Sequence, residues 1–226
     1  MPLHVKICGT TSILDARLAQ EAGADFLGVM LNHPASPRNI SLVTALEIQE
    51  SAAIPLVALS VNQDLETLLQ VAAELSPRAL QLHGDESPAL VSELVARGFE
   101  VWKAISGQEI PLLQEAEIFR EAGARAILVD AREVSSGGVV YGGTGQISDW
   151  NGARELVEAG FRVILAGGLS PGNVARAITF VQPWALDVVS GVETRKGVKD
   201  AQKLRQFVSL AKTKALGQND SNQNLV

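Results

Sequence analysis

The chain has one cysteine, Cys8, in 226 residues. A single thiol excludes an internal disulfide framework and a metal site built from several cysteines. The three histidines, His4, His33 and His83, lie far apart and share no metal-ligand spacing, so no metal is expected. No apolar run approaches the roughly 18 residues of a membrane span. The N-terminus shows no charged segment leading into an apolar signal core. Lys and Arg are scattered and number 19 against 25 Asp and Glu. That balance argues against a face that neutralises nucleic-acid phosphates or docks on an anionic membrane. No G-x-G-x-x-G follows the first strand-like run, so a dinucleotide fold has little support. A serine-triad hydrolase is not expected either.

What is present is a repeated alternation. Short runs rich in Val, Ile and Leu alternate eight times with longer stretches of helical spacing. The strand-like runs are His4–Cys8, Phe26–Leu31, Leu56–Val61, Ala79–His83, Glu100–Ile105, Ala126–Asp130, Arg162–Ala166 and Leu186–Ser190. Between them, stretches such as SILDARLAQEAG and DLETLLQVAAEL repeat apolar residues at i, i+3, i+4 and i+7. Ser12, Asp64, Ser87, Asp149 and Ser170, the last followed by Pro171, stand where helix N-caps belong. Gly23, Gly98, Gly123 and Gly160 stand where helices end.

Strands apolar on both faces and separated by helices imply a parallel sheet covered by helices. Eight such units predict an α/β fold, a single-domain (β/α)8 TIM barrel over residues 1–212. The polar end, LGQNDSNQNLV, predicts a disordered C-terminal tail over 213–226. With 46% hydrophobic and 19% charged residues and a net charge of −6, the composition predicts a cytoplasmic globular protein.

In such barrels function gathers at the C-terminal strand ends. Cys8 ends the first strand on the same face as Lys6, and Asp130 ends the sixth. Facing inward, the two stand on nearly opposite walls, where a base and an acid can move protons at two places on one substrate. Lys6 and Asp187 interrupt apolar strands that a closed barrel makes neighbours, and buried charge needs a partner. A Lys6–Asp187 pair is therefore expected, with the ammonium also favouring the Cys8 thiolate. His83 stands at the barrel mouth as a hydrogen-bonding residue. Arg38, after the second strand, has the geometry to fork onto a substrate carboxylate. Glycine clusters follow the last strands: YGGTGQ with Gly143, Thr144 and Gly145, AGGLSPGN with Gly167 and Gly168, and SGVETRKG with Ser190 and Gly191. Glycine lets backbone N–H groups approach an anion, and these loops are where barrels often hold phosphate. A phosphorylated small molecule is the expected partner.

KICG at Lys6–Gly9, SPR at Ser36–Arg38, QLHGDE at Gln81–Glu86, VD at Val129–Asp130, GGTG at Gly142–Gly145 and DW at Asp149–Trp150 occur in one order. AGGLSPGNV at Ala166–Val174 and LDVVSGVET…GVKD at Leu186–Asp200 complete it. In this the chain resembles the phosphoribosylanthranilate isomerase family from the first strand to the last helix. The resemblance implies an Amadori rearrangement in tryptophan synthesis, with no cofactor. By similarity, Asp130 is the general acid, Cys8 the general base and Arg38 the carboxylate binder, with the glycine loops on the phosphate. A histidine-pathway aminoaldose isomerase and a non-catalytic phosphometabolite-binding barrel are the alternatives. The chain departs from the family at Val29–His33, where aromatic residues are common, and at Gln146–Ser148 after GGTG. The assembly expected is a monomer or a homodimer.

Overall fold

The computed structural model describes residues 2–130, 132–135, 138–141 and 148–223. Eight parallel strands line up with the eight apolar runs. They are β1 (His4–Ile7), β2 (Phe26–Leu31), β3 (Leu56–Ser60), β4 (Ala79–Leu82), β5 (Val101–Ile105), β6 (Ala126–Val129), β7 (Val163–Leu165) and β8 (Ala185–Val188). β1 pairs with β8 on one side and β2 on the other, which closes the barrel.

A helix follows each strand: α1 (Ile13–Glu21), α2 (Leu42–Ser51), α3 (Leu65–Leu75), α4 (Pro88–Ala96), α5 (Leu112–Glu121), α6 (Trp150–Glu158), α7 (Val174–Val181) and α8 (Ala201–Gln223). Ser12, Asp64, Ser87 and Asp149 cap α1, α3, α4 and α6 by accepting a backbone N–H three residues on. Ser170 does not cap α7. Ser170–Asn173 form a turn and Asn173 takes the cap position, its side chain tying the turn together through Ser170 N and Gly168 O, each at 2.9 Å. Gly23, Gly98, Gly123 and Gly160 all have φ between +81° and +95°, the left-handed helix stop that glycine adopts without strain.

Two regions differ from the sequence expectation. α8 continues past residue 212 to Gln223, through most of the segment expected to be a tail. That stretch contains no proline, and extending a formed helix is much easier than nucleating one. Between β6 and α6, where a glycine-rich loop was expected, Arg132–Ser135 and Gly138–Tyr141 form an antiparallel pair.

The core has two shells. Val5, Ile7, Leu27, Val29, Leu82, Val129 and Val188 point outward against the helices. Phe26, Val57, Trp102, Leu128 and Ile164 fill the barrel. The N-terminal end is plugged by aromatic rings, with Phe26–Trp102 and Trp102–Trp184 edge-on at 5.4 and 5.6 Å. The opposite mouth is the end left for a site. Among the described residues no helix is long and apolar enough to cross a membrane.

Candidate active site

Strand alternation carries Lys6 into the barrel, where its register partner on β8 is Asp187. Lys6 Nζ meets Asp187 Oδ1 at 3.0 Å with both side chains shut off from solvent, as the sequence expectation required. Cys8 continues the ladder by donating its N–H to Val188 O at 3.0 Å, which aims its side chain inward one layer above Lys6. Gly28 on β2 makes room for both. A Cβ there would stand 2.6 Å from Cys8 Sγ and 3.0 Å from Lys6 Nζ.

The electrostatic balance at the thiol differs from the expectation. Burial pushes Cys8 up, Asp187 adds to this, and Lys6 and Lys199 pull downward without reversing it. The ammonium does favour the thiolate, but burial outweighs it. For Lys6 itself burial opposes the charge, yet Asp187 and Cys8 outweigh burial, so its value is raised.

Asp130 follows β6 across the mouth. Its Oδ2 lies 3.1 Å from His83 Nε2, and His83 Nδ1 lies 2.8 Å from Gln81 Nε2. Gly9 then turns the chain after Cys8 at φ +65°, and a Cβ on it would sit 2.6 Å from Arg38 Cδ. Glycine is needed there both for the turn and for the stem of Arg38.

Arg38 is buried, and its fork is already filled. Nε and Nη2 donate to Glu193 at 2.9 and 2.8 Å. Nη1 is the guanidinium nitrogen that Glu193 leaves unengaged, so the whole fork is not open to a further partner. Glu193 also meets Lys199 at 3.3 Å, and Lys199 donates to the carbonyl of Cys8. Burial alone would raise Glu193, but the bonds from Arg38 and Lys199 win and lower it. Lys199 is lowered, burial being stronger than the pull of Glu193 and Cys8. Sequence reasoning missed Glu193 and Lys199 as parts of the site. The signal was there in GVET…GVKD, whose charges alternate with valines and glycines and are buried when the segment folds back as a hairpin.

Cys8, Arg38, His83, Asp130, Gly167, Gly168 and Ser190 line one cavity of about 350 Å³. Met30, Leu59 and Val189 form its apolar wall, and Lys196 reaches its rim. Gly167 and Gly168 have φ of +77° and +61°. Gly191 lies behind the lining, packed so closely on the Leu169 carbonyl that no side chain fits. Gly143, Thr144 and Gly145 lie outside the described residues. Gly168–Gly172 does spell G-x-S-x-G, the spacing of a nucleophile elbow. Ser170, however, sits in the turn before α7 and has no hydrogen bond to a histidine among the described residues.

Comparison with known proteins agrees over the whole barrel. The family model for N-(5'-phosphoribosyl)anthranilate (PRA) isomerase matches residues 5–210. The N-(5'-phosphoribosyl)anthranilate isomerase of Trichlorobacter lovleyi is 42% identical over 212 residues, which cover 93% of this chain and 98% of that one. A monomeric form of the dimeric phosphoribosylanthranilate isomerase from Thermotoga maritima superposes with a TM-score of 0.79 at 34% identity, covering 93% of this chain and 99% of that one. A phosphoribosylanthranilate isomerase solved with reduced 1-(o-carboxyphenylamino)-1-deoxyribulose 5-phosphate superposes with a TM-score of 0.74 at 33% identity, with 93% and 99% coverage.

Proposed function

The chain belongs to the N-(5'-phosphoribosyl)anthranilate isomerase family, and on that premise we propose that Cys8 and Asp130 are the base and the acid of its reaction. The protein is an isomerase of tryptophan biosynthesis. The assignment of residues is supported above all by one observation: Cys8 on β1 and Asp130 after β6 line the same cavity from different walls.

In the proposed sequence Asp130 protonates the ribose ring oxygen as the C1–O bond breaks, opening the ring to an imine. Cys8 then removes the C2 proton, and the electron pair moves into the imine to give an enolamine. Tautomerisation moves a proton to C1 and leaves the C2 ketone of the 1-deoxyribulose 5-phosphate. The imine nitrogen serves as the electron sink.

Substrate positioning follows from the same walls. Arg38 Nη1 takes the anthranilate carboxylate while Glu193 holds the rest of the guanidinium. Met30, Leu59 and Val189 face the aromatic ring, with the Met30 thioether in place of an aromatic side chain. The backbone of Gly167–Gly168 and Ser190–Gly191, with Gly143–Gly145, takes the phosphate. The assembly proposed is a monomer or a homodimer. A cytoplasmic location is proposed with the biosynthetic role.

The test is to supply purified protein with phosphoribosylanthranilate and follow loss of its anthranilate-type fluorescence. Turnover is expected in the wild type, and Arg38→Met is expected to raise KM about tenfold or more, the scale of a lost charge-assisted hydrogen bond. An unchanged KM in Arg38→Met would remove Arg38 from the substrate site.

A further inference from the structure

The strand pairing of β1 ends at Ile7, and Cys8 adds one more bond by donating its N–H to Val188 O. Gly9 then turns the chain at φ +65°. A buried carbonyl at such a strand end needs a donor from elsewhere. Lys199 supplies one to Cys8, its Nζ reaching the Cys8 carbonyl across 191 residues of sequence. Both residues are buried. The peptide that bears the thiol is thus held on one side by the sheet and on the other by a lysine side chain.

Lys199 is itself fixed. It lies in the hairpin of Glu193–Arg195 with Val198–Lys199. Its backbone N–H donates to Asp15 Oδ1 at 3.2 Å, and its Nζ meets Glu193 Oε1 at 3.3 Å. Thr11 Oγ1 donates to Gly197 O, in the turn of the same hairpin, at 2.6 Å. Gly197 has φ +80°, and a Cβ on it would stand 3.1 Å from Pro37 O, so the turn also packs on the segment that leads to Arg38. Glu193 grips Arg38 itself. The hairpin therefore bridges two segments: the one after β1 that carries the thiol, and the one after β2 that carries the guanidinium.

We infer that Lys199 is a positioning residue: by bonding the Cys8 carbonyl it fixes the thiol relative to Arg38, and so relative to the proton at C2 of a bound substrate. The inference rests on the base role proposed for Cys8. A C–H is a weak hydrogen-bond donor, so the substrate does little to draw the base into line. The protein has to set that geometry. A Cys8 peptide released from Lys199 keeps its N–H bond to β8 but is free to tilt about it, which swings Sγ away from C2. Misplacing a reacting group by about 1 Å costs on the order of 100-fold in rate. Arg38 keeps Glu193 whether or not Lys199 is present, so the loss falls on the chemical step and spares substrate binding.

Lys199→Met tests this, assayed with phosphoribosylanthranilate and with the same substrate carrying deuterium at C2 of the ribose. The variant leaves no carboxylate without a partner, since Glu193 still pairs with Arg38. Per folded enzyme, kcat is expected to fall about 10- to 100-fold with KM within about twofold of wild type. A primary isotope effect on kcat is expected with it, because transfer of the C2 proton is the step that slows. Wild-type kcat would overturn the inference, and so would a rise in KM with kcat preserved. A slowed variant without an isotope effect would overturn it as well. If Lys199→Met does not fold, Thr11→Val decides, since it loosens the same tie without touching a charge. In that variant kcat is expected to fall about fivefold, the scale of one neutral hydrogen bond, and wild-type kcat would overturn the inference. Cys8→Ser separates the two readings. Full turnover in it would remove the base role itself, whereas turnover lost there and kept in Lys199→Met would overturn the role of Lys199 alone.

Discussion

Residue by residue, the site depends on how three buried groups share charge. Lys6 and Asp187 share one dry layer with Cys8 buried just above them, and only Lys6 and Asp187 are matched in charge. Lys6→Met removes the ammonium that lowers the thiol and leaves Asp187, which raises it, uncompensated. The thiol titration, followed by thiolate absorbance, is therefore expected to move further up, and thermal stability to fall by about 3–5 kcal/mol, the cost of breaking a buried pair. An unmoved thiol would mean that Lys6 serves packing alone. This pair was legible in the sequence, because a Lys and an Asp interrupting apolar runs on neighbouring strands have few other partners. Arg38 was legible as a candidate site residue but not as one already paired. Its partner, Glu193, is 155 residues away, and only the folded loop after β8 brings the two together.

Among the elements, that loop is the part the sequence showed least. The hairpin of Glu193–Arg195 with Val198–Lys199 carries the carboxylate that holds Arg38 and the ammonium that holds the Cys8 carbonyl. Glu193 is lowered in the folded state, so its contribution to stability is complete above the ordinary glutamate value near 4.3 and fades as pH falls through the lowered one. Glu193→Gln is expected to lower Tm at neutral pH and to flatten the fall of Tm on acidification. Equal slopes of Tm against pH in variant and wild type would contradict this. The strands, by contrast, were plain from their composition, since a parallel strand buried on both faces reads as an unbroken apolar run. The cap expected at Ser170 failed because Asn173 offers a side chain that bonds both ways across the turn.

At the scale of the whole molecule, the barrel has one end closed by rings and one end open. Trp102 is fully buried in the plug, against Phe26 and Trp184 and far along the strands from the mouth. Trp102→Ala is expected to cost about 3–5 kcal/mol in denaturant unfolding, the range for emptying a large aromatic site. Its kcat/KM should stay close to wild type wherever the variant remains folded. A selective loss of activity without a loss of stability would show that the plug and the mouth are not independent. The polarity of the mouth was readable because Cys8, His83, Asp130 and the glycine loops all fall just after apolar strands. The contents of that mouth were less so, since Glu193 and Lys199 reach it only by the folding back of a loop.

In the proposed reaction, two side chains on different walls divide the proton transfers. The most direct measurement is kcat for phosphoribosylanthranilate in Cys8→Ser and in Asp130→Asn, each checked for wild-type folding. A loss of at least about 100-fold is expected in each, with substrate still bound. Wild-type turnover in either variant would contradict it.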